Sequence, residues 1–169
     1  MNRDFLRYAA IGLLIAAALV GGVLYWNRGA HVVLQGSVQK VRTQEMDERS
    51  VVVVADFRFV NPSDYPLIVR DARLFLEDAQ GKRIEGMMVG EVDAERLFRY
   101  YPLLGPKYNR SLIARDRVEP REGMDRMIAA RFEMPEAAVK SCRRLIIRVE
   151  DVDGAVSEIT AELSPELLS

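Results

Sequence analysis

Histidine, cysteine and clustered acidic residues could give this 169-residue chain a catalytic or metal site, but the first two are scarce. His31 is the only histidine and Cys142 the only cysteine. Histidine is the usual general base and metal ligand near neutral pH, and a nucleophile must lie within hydrogen-bonding reach of its base. The sequence therefore predicts no catalytic residues, no metal and no other cofactor. We expect that the protein is not an enzyme.

Two short motifs have some chemical potential. Cys142 precedes two arginines, whose charges would lower the pKa of the thiol and make it reactive; a thiol tucked under a sheet edge is the commoner arrangement. Asp151 and Asp153 resemble the start of a calcium loop, but Ala155 stands where the third oxygen ligand should be. We therefore interpret residues 151–154 as a hairpin turn.

The segment from Asp93 to Arg110, DAERLFRYYPLLGPKYNR, brings four aromatic rings together with four cations. Aromatic and arginine side chains dominate the hot spots of protein interfaces. We interpret the segment as a partner-binding loop or lid at one end of the domain, and its candidate contact residues are Phe98, Arg99, Tyr100, Tyr101 and Tyr108. The alternative is that apolar side chains plug the open end of the core, namely Leu97, Phe98, Leu103 and Leu104.

Apolar residues recur with a period close to two from residue 32 onward, which is typical of half-buried strands. Turn formers separate the strands, and the polar stretch TQEMDERS predicts an early turn. We expect short helices at Ala94 to Tyr101, with Asp93 as the N-cap, and at residues 135–141. Strands are predicted at residues 32–41, 50–60, 67–77, 82–89, 110–118, 124–134, 144–150 and 155–163.

The strand from Ser50 to Val60 shows the alternation clearly. Phe57 and Phe59 alternate with Asp56 and Arg58, so we expect one face toward a core and the other toward water. The pattern as a whole predicts an all-β fold, an immunoglobulin-like antiparallel β-sandwich preceded by one transmembrane α-helix.

A family resemblance points to the same fold. The stretch VVVVADFRFVNPSDYPLIVRDARLFLEDAQGKRIEG resembles the first half of late-embryogenesis-abundant type 2 domains, also called water-stress and hypersensitive-response domains. Asn61, Pro62, Pro66 and Leu67 carry that match. The second half, with its Glu-Pro and Phe-Glu-Met-Pro steps, is similar to telokin-like bacterial domains of unknown function. Both resemblances imply a small immunoglobulin-like sandwich outside the cytosol, without catalytic residues.

The N-terminal stretch YAAIGLLIAAALVGGVLYW, residues 8–26, contains no charge. As a helix it would extend about 28 Å, close to the thickness of the hydrocarbon core of a bilayer. Arg3 and Arg7 precede it, which favours an N-terminus inside the cell and a domain outside. We therefore expect a cytoplasmic tail at residues 1–7, a transmembrane helix at 8–26, a linker at 27–31 and a β-sandwich domain at 32–169.

A cleaved signal peptide is the alternative interpretation of the N-terminal segment. A signal peptide also has a basic start and an apolar run, but the exit Tyr25-Trp26-Asn27-Arg28 lacks small cleavage-site residues.

Ala17 and Gly21 have the small-residue spacing that lets membrane helices pack closely, so we expect at most a weak homodimer there. The alternative is that Ala and Gly are simply common in such helices.

The formal net charge of −1 argues against a nucleic-acid partner. We expect the helix to contact membrane lipid and the domain to contact an envelope protein whose identity is unknown. The sequence therefore predicts a non-enzymatic, membrane-tethered interaction or structural module in the cytoplasmic membrane, with its domain outside the cytoplasm. The alternative is a carrier of a small apolar or polymeric ligand, and an envelope hydrolase is the least favoured function.

Overall fold

The structure, a computed structural model, describes residues 3–26 and 33–168. The chain divides into an N-terminal unit that ends at His31 and a second unit that begins at Val32. The predicted linker, residues 27–31, lies outside the described residues, as do residues 1–2 of the predicted tail.

The N-terminal unit contains one described helix, α1, Arg3–Trp26. Its described side chains, Tyr8 and those from Ile11 to Gly22, are exposed and mostly apolar. Across residues 3–26 and 33–168, no helix combines the length and the apolar character needed to cross a membrane. The predicted span at residues 8–26 is therefore not supported by the structure, although a helix does form there.

The second unit is an antiparallel β-sandwich, which confirms that part of the predicted fold. The first sheet has the strand order β1-β2-β7-β5, and the second has the order β4-β3-β8-β9 with β6 paired to the start of β3. The strands are β1 Gln35–Asp47, β2 Ser50–Val60, β3 Leu67–Glu77, β4 Arg83–Glu85, β5 Met87–Met88, β6 Arg117–Val118, β7 Gly123–Phe132, β8 Arg144–Asp151 and β9 Val156–Glu162. The helices are α2 Glu91–Tyr100 and α3 Glu136–Lys140, and a 3-10 turn spans Pro102–Leu104.

The main core fills the space between the two sheets. Alternating side chains of β2 and β7 meet those of β3 and β8, as period-two patterning requires. Phe57 and Phe59 stack in this core with ring centroids 5.4 Å apart. Its fully buried large side chains also include Phe132, Leu67, Leu74, Leu76, Leu145 and Ile147.

Strand β2 is buried on both faces along most of its length. The run of β-branched valines suits such a central strand, which pairs with β1 on one side and with β7 on the other. The prediction that Asp56 faces water is wrong, because Asp56 is only 3% exposed, whereas Arg58 is exposed as predicted. The outer face of the first sheet is covered, and the sequence pattern of β2 alone did not reveal that cover.

The predicted return strand at residues 82–89 is divided between the two sheets. β4 pairs with the end of β3, and β5 pairs with β7 of the opposite sheet. The chain crosses at Gly86, where an added Cβ would lie 2.7 Å from the Cβ of Ala130 and from the Phe132 ring. Only a residue without a side chain fits this crossing, since a Cβ contact that short is repulsive.

The predicted strand at residues 110–118 forms only at its end, in β6. Ser111 makes a single bridge to Met127, and the backbone between Ser111 and β6 follows an irregular path. The predicted polar turn at residues 43–50 is shorter than expected as well, because β1 continues to Asp47 and only residues 48–49 form the turn.

The Asn-Pro turn between β2 and β3 is organised by one buried side chain. The Asn61 amide donates hydrogen bonds to the carbonyls of Tyr65 at 2.7 Å, Val118 at 3.2 Å and Glu119 at 3.3 Å. Its carbonyl oxygen accepts from the backbone N–H and the hydroxyl of Ser63. Asn61 is fully buried, so it connects the β2–β3 turn to the strand β6 that closes the same end of the second sheet.

The outer face of the second sheet carries a lattice of ion pairs. Arg73 pairs with Asp71 and Glu85, and Arg83 pairs with Glu158 through two hydrogen bonds of 2.8 and 3.1 Å. Because these side chains pair with one another, the face is polar and these charges have partners within it. The two sheets therefore differ on their outer sides, one carrying charges and the other an apolar cover.

Candidate functional site

The outer face of the first sheet is covered by residues 90–111, which we call the cover segment. It contains α2 and the 3-10 turn, and it packs on Val52, Val54, Met127 and Ala129 from β2 and β7. The side chains that the cover segment contributes to this second core are Ala94, Leu97 and Leu104, with Phe98 and Tyr101 half-buried at its margin.

Helix α2 is amphipathic, but its start differs from the prediction. It begins at Glu91 rather than Ala94, and Gly90 occupies the N-cap position without a side-chain cap. Asp93, predicted as the N-cap, lies in the first turn and pairs with Arg96 at 3.2 Å. Two acidic residues in the first turn interact favourably with the positive end of the helix dipole. This interaction compensates for the missing side-chain cap.

A buried ion pair fastens the cover segment to the first sheet. Arg42 of β1 donates to Asp56 of β2 at 2.5 Å, and each side chain is only 4% exposed. The Arg42 guanidinium also donates to the backbone carbonyls of Leu104 and Pro106, both at 2.8 Å. Asn109 completes the arrangement by donating to the second Asp56 oxygen at 2.9 Å. One arginine thus connects two strands and the turn that follows α2.

Aromatic rings shield this arginine from solvent. The Arg42 guanidinium lies 4.9 Å from the centroid of the Phe98 ring and 5.4 Å from that of Tyr108. Lys40 contacts the same Tyr108 ring at 5.9 Å. Cation–π contacts of this kind are strongest where water is excluded. Phe98 and Tyr108, two of the five predicted contact residues, therefore have a structural role.

A second ion pair closes the cover segment on itself. The Glu91 carboxylate accepts from the Lys107 ammonium at 2.6 Å and from the backbone N–H of Ser111 at 2.8 Å. Burial alone would raise the pKa of Glu91, but the hydrogen bonds from Lys107 and Ser111 outweigh it and lower this pKa to about 2. The charged form of Glu91 is therefore the one that holds the two ends of the cover segment together.

The pKa of Glu91 leads to a pH-dependent prediction. Glu91→Gln should lower the free energy of unfolding by about 1–2 kcal/mol at pH 7. Because the folded pKa lies below that of the unfolded chain, the stabilisation is complete above about pH 4.5 and is lost as the pH falls toward 2. Urea unfolding of both proteins between pH 2.5 and 7 measures the difference. The exposed Glu95 is the matched control, and Glu95→Gln should change stability by less than about 0.5 kcal/mol. If the difference in the free energy of unfolding between the wild type and Glu91→Gln stayed constant down to pH 2.5, the result would contradict this account.

An open groove lies beside α2 on the solvent side of the cover segment. Its volume is about 490 Å³, and its lining is mostly apolar. Tyr100 and Tyr101 meet edge to face at 4.9 Å, and Tyr100 is 78% exposed. The groove is lined by Met46, Asp93, Arg96, Leu97, Arg99, Tyr100 and Tyr101.

The five predicted contact residues thus fall into two groups. Arg99, Tyr100 and Tyr101 line the groove, whereas Phe98 and Tyr108 surround Arg42. The plug alternative is correct only in that Leu97 and Leu104 are buried and Phe98 is half-buried, because these residues cover the outside of a sheet and not the open end of the main core. It fails for Leu103, which is 92% exposed.

Met46 is the groove residue that the sequence did not single out. It lies in the stretch predicted as a polar turn, but β1 continues through it. Val51 to Val54, shortly after the turn, are all β-branched and apolar, and a hairpin register extended backward from them would have indicated a longer β1.

Cys142 has no features of a reactive thiol. It is 6% exposed, and its sulfur donates to the Ala138 carbonyl at 3.3 Å. Burial raises the pKa of Cys142, and the nearby Asp78 carboxylate raises it further. The alternative in which the neighbouring arginines activate this thiol is therefore wrong.

Residues 151–154 form the hairpin turn between β8 and β9. The Asp151 N–H donates to the Ala155 carbonyl at 2.8 Å, and the buried Asp151 carboxylate accepts from the Ile68 N–H at 3.2 Å. The positive φ of 86° at Gly154 is the backbone conformation that such a turn requires. Among the described residues, no three His, Cys, Asp or Glu side chains are grouped so that they could hold a metal ion.

Comparison with known proteins supports the fold. No protein-family model matches the sequence, and no curated protein shows significant similarity to it. Among solved structures, a lipoprotein candidate (ycdA) of Bacillus subtilis is similar, with a TM-score of 0.50 and 9% identity over 81% of this chain. The match spans only 39% of that protein. The archaellum periplasmic stator complex of FlaF and FlaG from Sulfolobus acidocaldarius has a TM-score of 0.33 at 10% identity, covering 75% of this chain and 92% of that one.

Proposed function

We propose that this protein is a non-enzymatic interaction module of the cell envelope and that the groove beside α2 is its binding surface. The observation that carries the proposal is the groove itself, in which exposed aromatic and arginine side chains stand on a rigidly anchored cover. Tyr100 is 78% exposed, and the cover beneath it is fixed by the buried Arg42–Asp56 pair. Rigid aromatic and arginine anchors of this type supply most of the binding energy in protein interfaces.

The chemistry of the groove lining favours binding over catalysis. Among the described residues that line the groove, Asp93 is the only one with a carboxylate, and it is exposed and paired with Arg96. The other lining residues are arginine, tyrosine, leucine and methionine, none of which forms a nucleophile–base pair here. This composition supports an interaction module over the least favoured function, an envelope hydrolase.

A carrier of a small apolar or polymeric ligand remains the second candidate function. A carrier needs an enclosed apolar cavity that buries most of its ligand. The groove is open to solvent and lies outside the sandwich, while the space between the sheets is filled by fully buried side chains. The geometry therefore favours a partner that contributes one or two side chains over a ligand that is enclosed.

The envelope location is part of the proposal. It is supported by the uncharged run at residues 8–26 and by the exposed apolar side chains of α1, a type of surface that marks an interaction site. The similar Bacillus subtilis structure is that of a lipoprotein candidate, which is in keeping with a site at a membrane surface. Single-pass attachment through residues 8–26, the immunoglobulin-like designation and the resemblance to late-embryogenesis-abundant type 2 domains stay predictions from the sequence.

Site-specific photo-cross-linking tests the proposal. A photoreactive amino acid placed at Tyr100 of the full-length protein in intact cells of its source organism should yield a discrete protein adduct. Changing the nearby Met46 to Ala should reduce that adduct by at least about fivefold, since Met46 lines the same groove. Tyr65, which is 60% exposed outside the groove, is the control position and should yield no such adduct. Equal adducts at both positions, or none at Tyr100, would contradict the assignment of the groove.

A further inference from the structure

The charges of the groove do not cancel. Asp93 and Arg96 pair with each other at 3.2 Å and are both exposed. Across the part of the chain that the structure describes, the Arg99 guanidinium makes no hydrogen bond or ion pair. The groove therefore presents one unpaired cation beside an apolar floor, and an occupant with a negative charge would complement it.

The apolar part of the groove is preorganised. Leu97 belongs to the second core, and Tyr101 packs at the margin of that core. The Tyr100 ring is held edge to face against Tyr101, while Met46 extends from the end of β1. An apolar side chain that enters this space would meet surfaces that are already ordered, so little conformational entropy would be lost on the side of this protein.

The size and openness of the groove favour an extended chain. A volume of about 490 Å³ lies within the range of ligand clefts, which is about 300–1,000 Å³. The open shape would bury one large side chain and leave the adjoining backbone in solvent. A single unpaired arginine is too little charge for a nucleic-acid backbone, whose binding depends on several phosphate contacts.

We propose that the groove binds an extended acidic segment of a partner protein, with an aromatic or large aliphatic side chain among Met46, Leu97 and Tyr100 and a neighbouring carboxylate on Arg99. Arginine suits this role because its planar guanidinium can bind a carboxylate through two parallel hydrogen bonds. The inference rests on the proposed function, since it specifies the chemistry of the partner at the same groove.

A selection from random heptapeptides displayed on phage, with the full-length protein as bait, tests the inference. The enriched peptides should carry an aromatic or large aliphatic residue within two positions of Asp or Glu. Arg99→Glu should reduce the affinity for the best synthetic peptide, measured by fluorescence anisotropy, by at least about fivefold. A repeated selection against this variant should enrich peptides that carry Lys and Arg. Arg110→Glu, an exposed cation that does not line the groove, is the matched control and should leave the affinity unchanged.

The outcomes separate this inference from the proposed function. If the binding of the selected peptides depends on Tyr100 but the peptides show no preference for acidic residues, the acidic partner is overturned and the groove is still supported as the binding surface. A selection without binders that depend on Tyr100 would overturn both. Vesicles of phosphatidylglycerol that bind the wild type but not Arg99→Glu, with no acidic peptide enriched, would replace the acidic partner by a lipid headgroup. Thermal unfolding of Arg99→Glu at the wild-type midpoint shows that the variant is folded.

Discussion

Arg42→Ala should lower the free energy of unfolding by about 3–5 kcal/mol, because it leaves the Asp56 carboxylate buried without its charged partner. The change also removes the donors to the Leu104 and Pro106 carbonyls, so the cover segment should loosen before the sandwich unfolds. Urea unfolding measures the loss of stability. Hydrogen exchange of the α2 amides measures the loosening of the cover.

Two further variants define this prediction. Arg58→Ala breaks an ion pair whose side chains are 57% and 41% exposed, so it should cost less than about 1 kcal/mol. The double variant Arg42→Met/Asp56→Asn should recover at least about 1 kcal/mol of the loss, since neither residue then carries a buried charge. A loss below about 1 kcal/mol in Arg42→Ala, with unchanged α2 exchange, would show that the pair does not hold the cover.

Asn61→Ala should destabilise the protein by about 2–4 kcal/mol, because its fully buried amide donates to three backbone carbonyls that would lose this partner. The carbonyls of Val118 and Glu119 belong to a segment far away in sequence, so β6 should detach from β3 together with the turn. Chemical denaturation measures the loss, and hydrogen exchange at Val69, whose N–H donates to the Asp116 carbonyl just before β6, reports the detachment.

Ser63→Ala provides the comparison for Asn61. Ser63 lies in the same turn, but its hydroxyl bonds lie at the half-buried side, where water can replace them. This variant should cost about 1 kcal/mol or less. Equal losses for Asn61→Ala and Ser63→Ala would mean that the turn as a whole, and not the buried amide, determines the stability.

The strand architecture was largely predictable from the sequence. β2 and β3 begin and end at the predicted residues, Ser50 to Val60 and Leu67 to Glu77. Both strands consist of alternating or β-branched apolar residues, and prolines prevent strand pairing between them. Such local signals suffice because each boundary is set by residues next to it.

The cover over the first sheet was not predictable in the same way. Arg42 and Asp56 lie on different strands, and their pairing depends on a register that shifts at a β-bulge between Val38 and Lys40. A charged residue within an alternating strand is expected to face water, and nothing near Asp56 in the sequence indicates otherwise. Only the tertiary arrangement, in which residues 90–111 fold over the sheet, makes burial of the carboxylate favourable.

The candidate site was predictable in composition but not in arrangement. The density of aromatic and basic side chains in residues 93–110 did identify the segment that forms the groove. Which rings contact Arg42 depends on where its guanidinium lies beneath them: Phe98 and Tyr108 both lie over it, although Tyr108 is still 62% exposed. Tyr100 lines the groove instead, and this difference in contacts cannot be read from residue type.

The attachment of the cover through Arg42 also has a mechanical consequence. A partner that occupied the groove and was itself tethered would exert tension on α2. The preceding strand, β5, pairs with β7 through only Met87 and Met88, which makes it a weak point under load. Arg42 instead transmits the pull into β1, which pairs with β2 along almost its whole length, so that many hydrogen bonds share the load. The buried arginine would therefore transfer force from the binding surface to the extended β1–β2 pair of the sandwich.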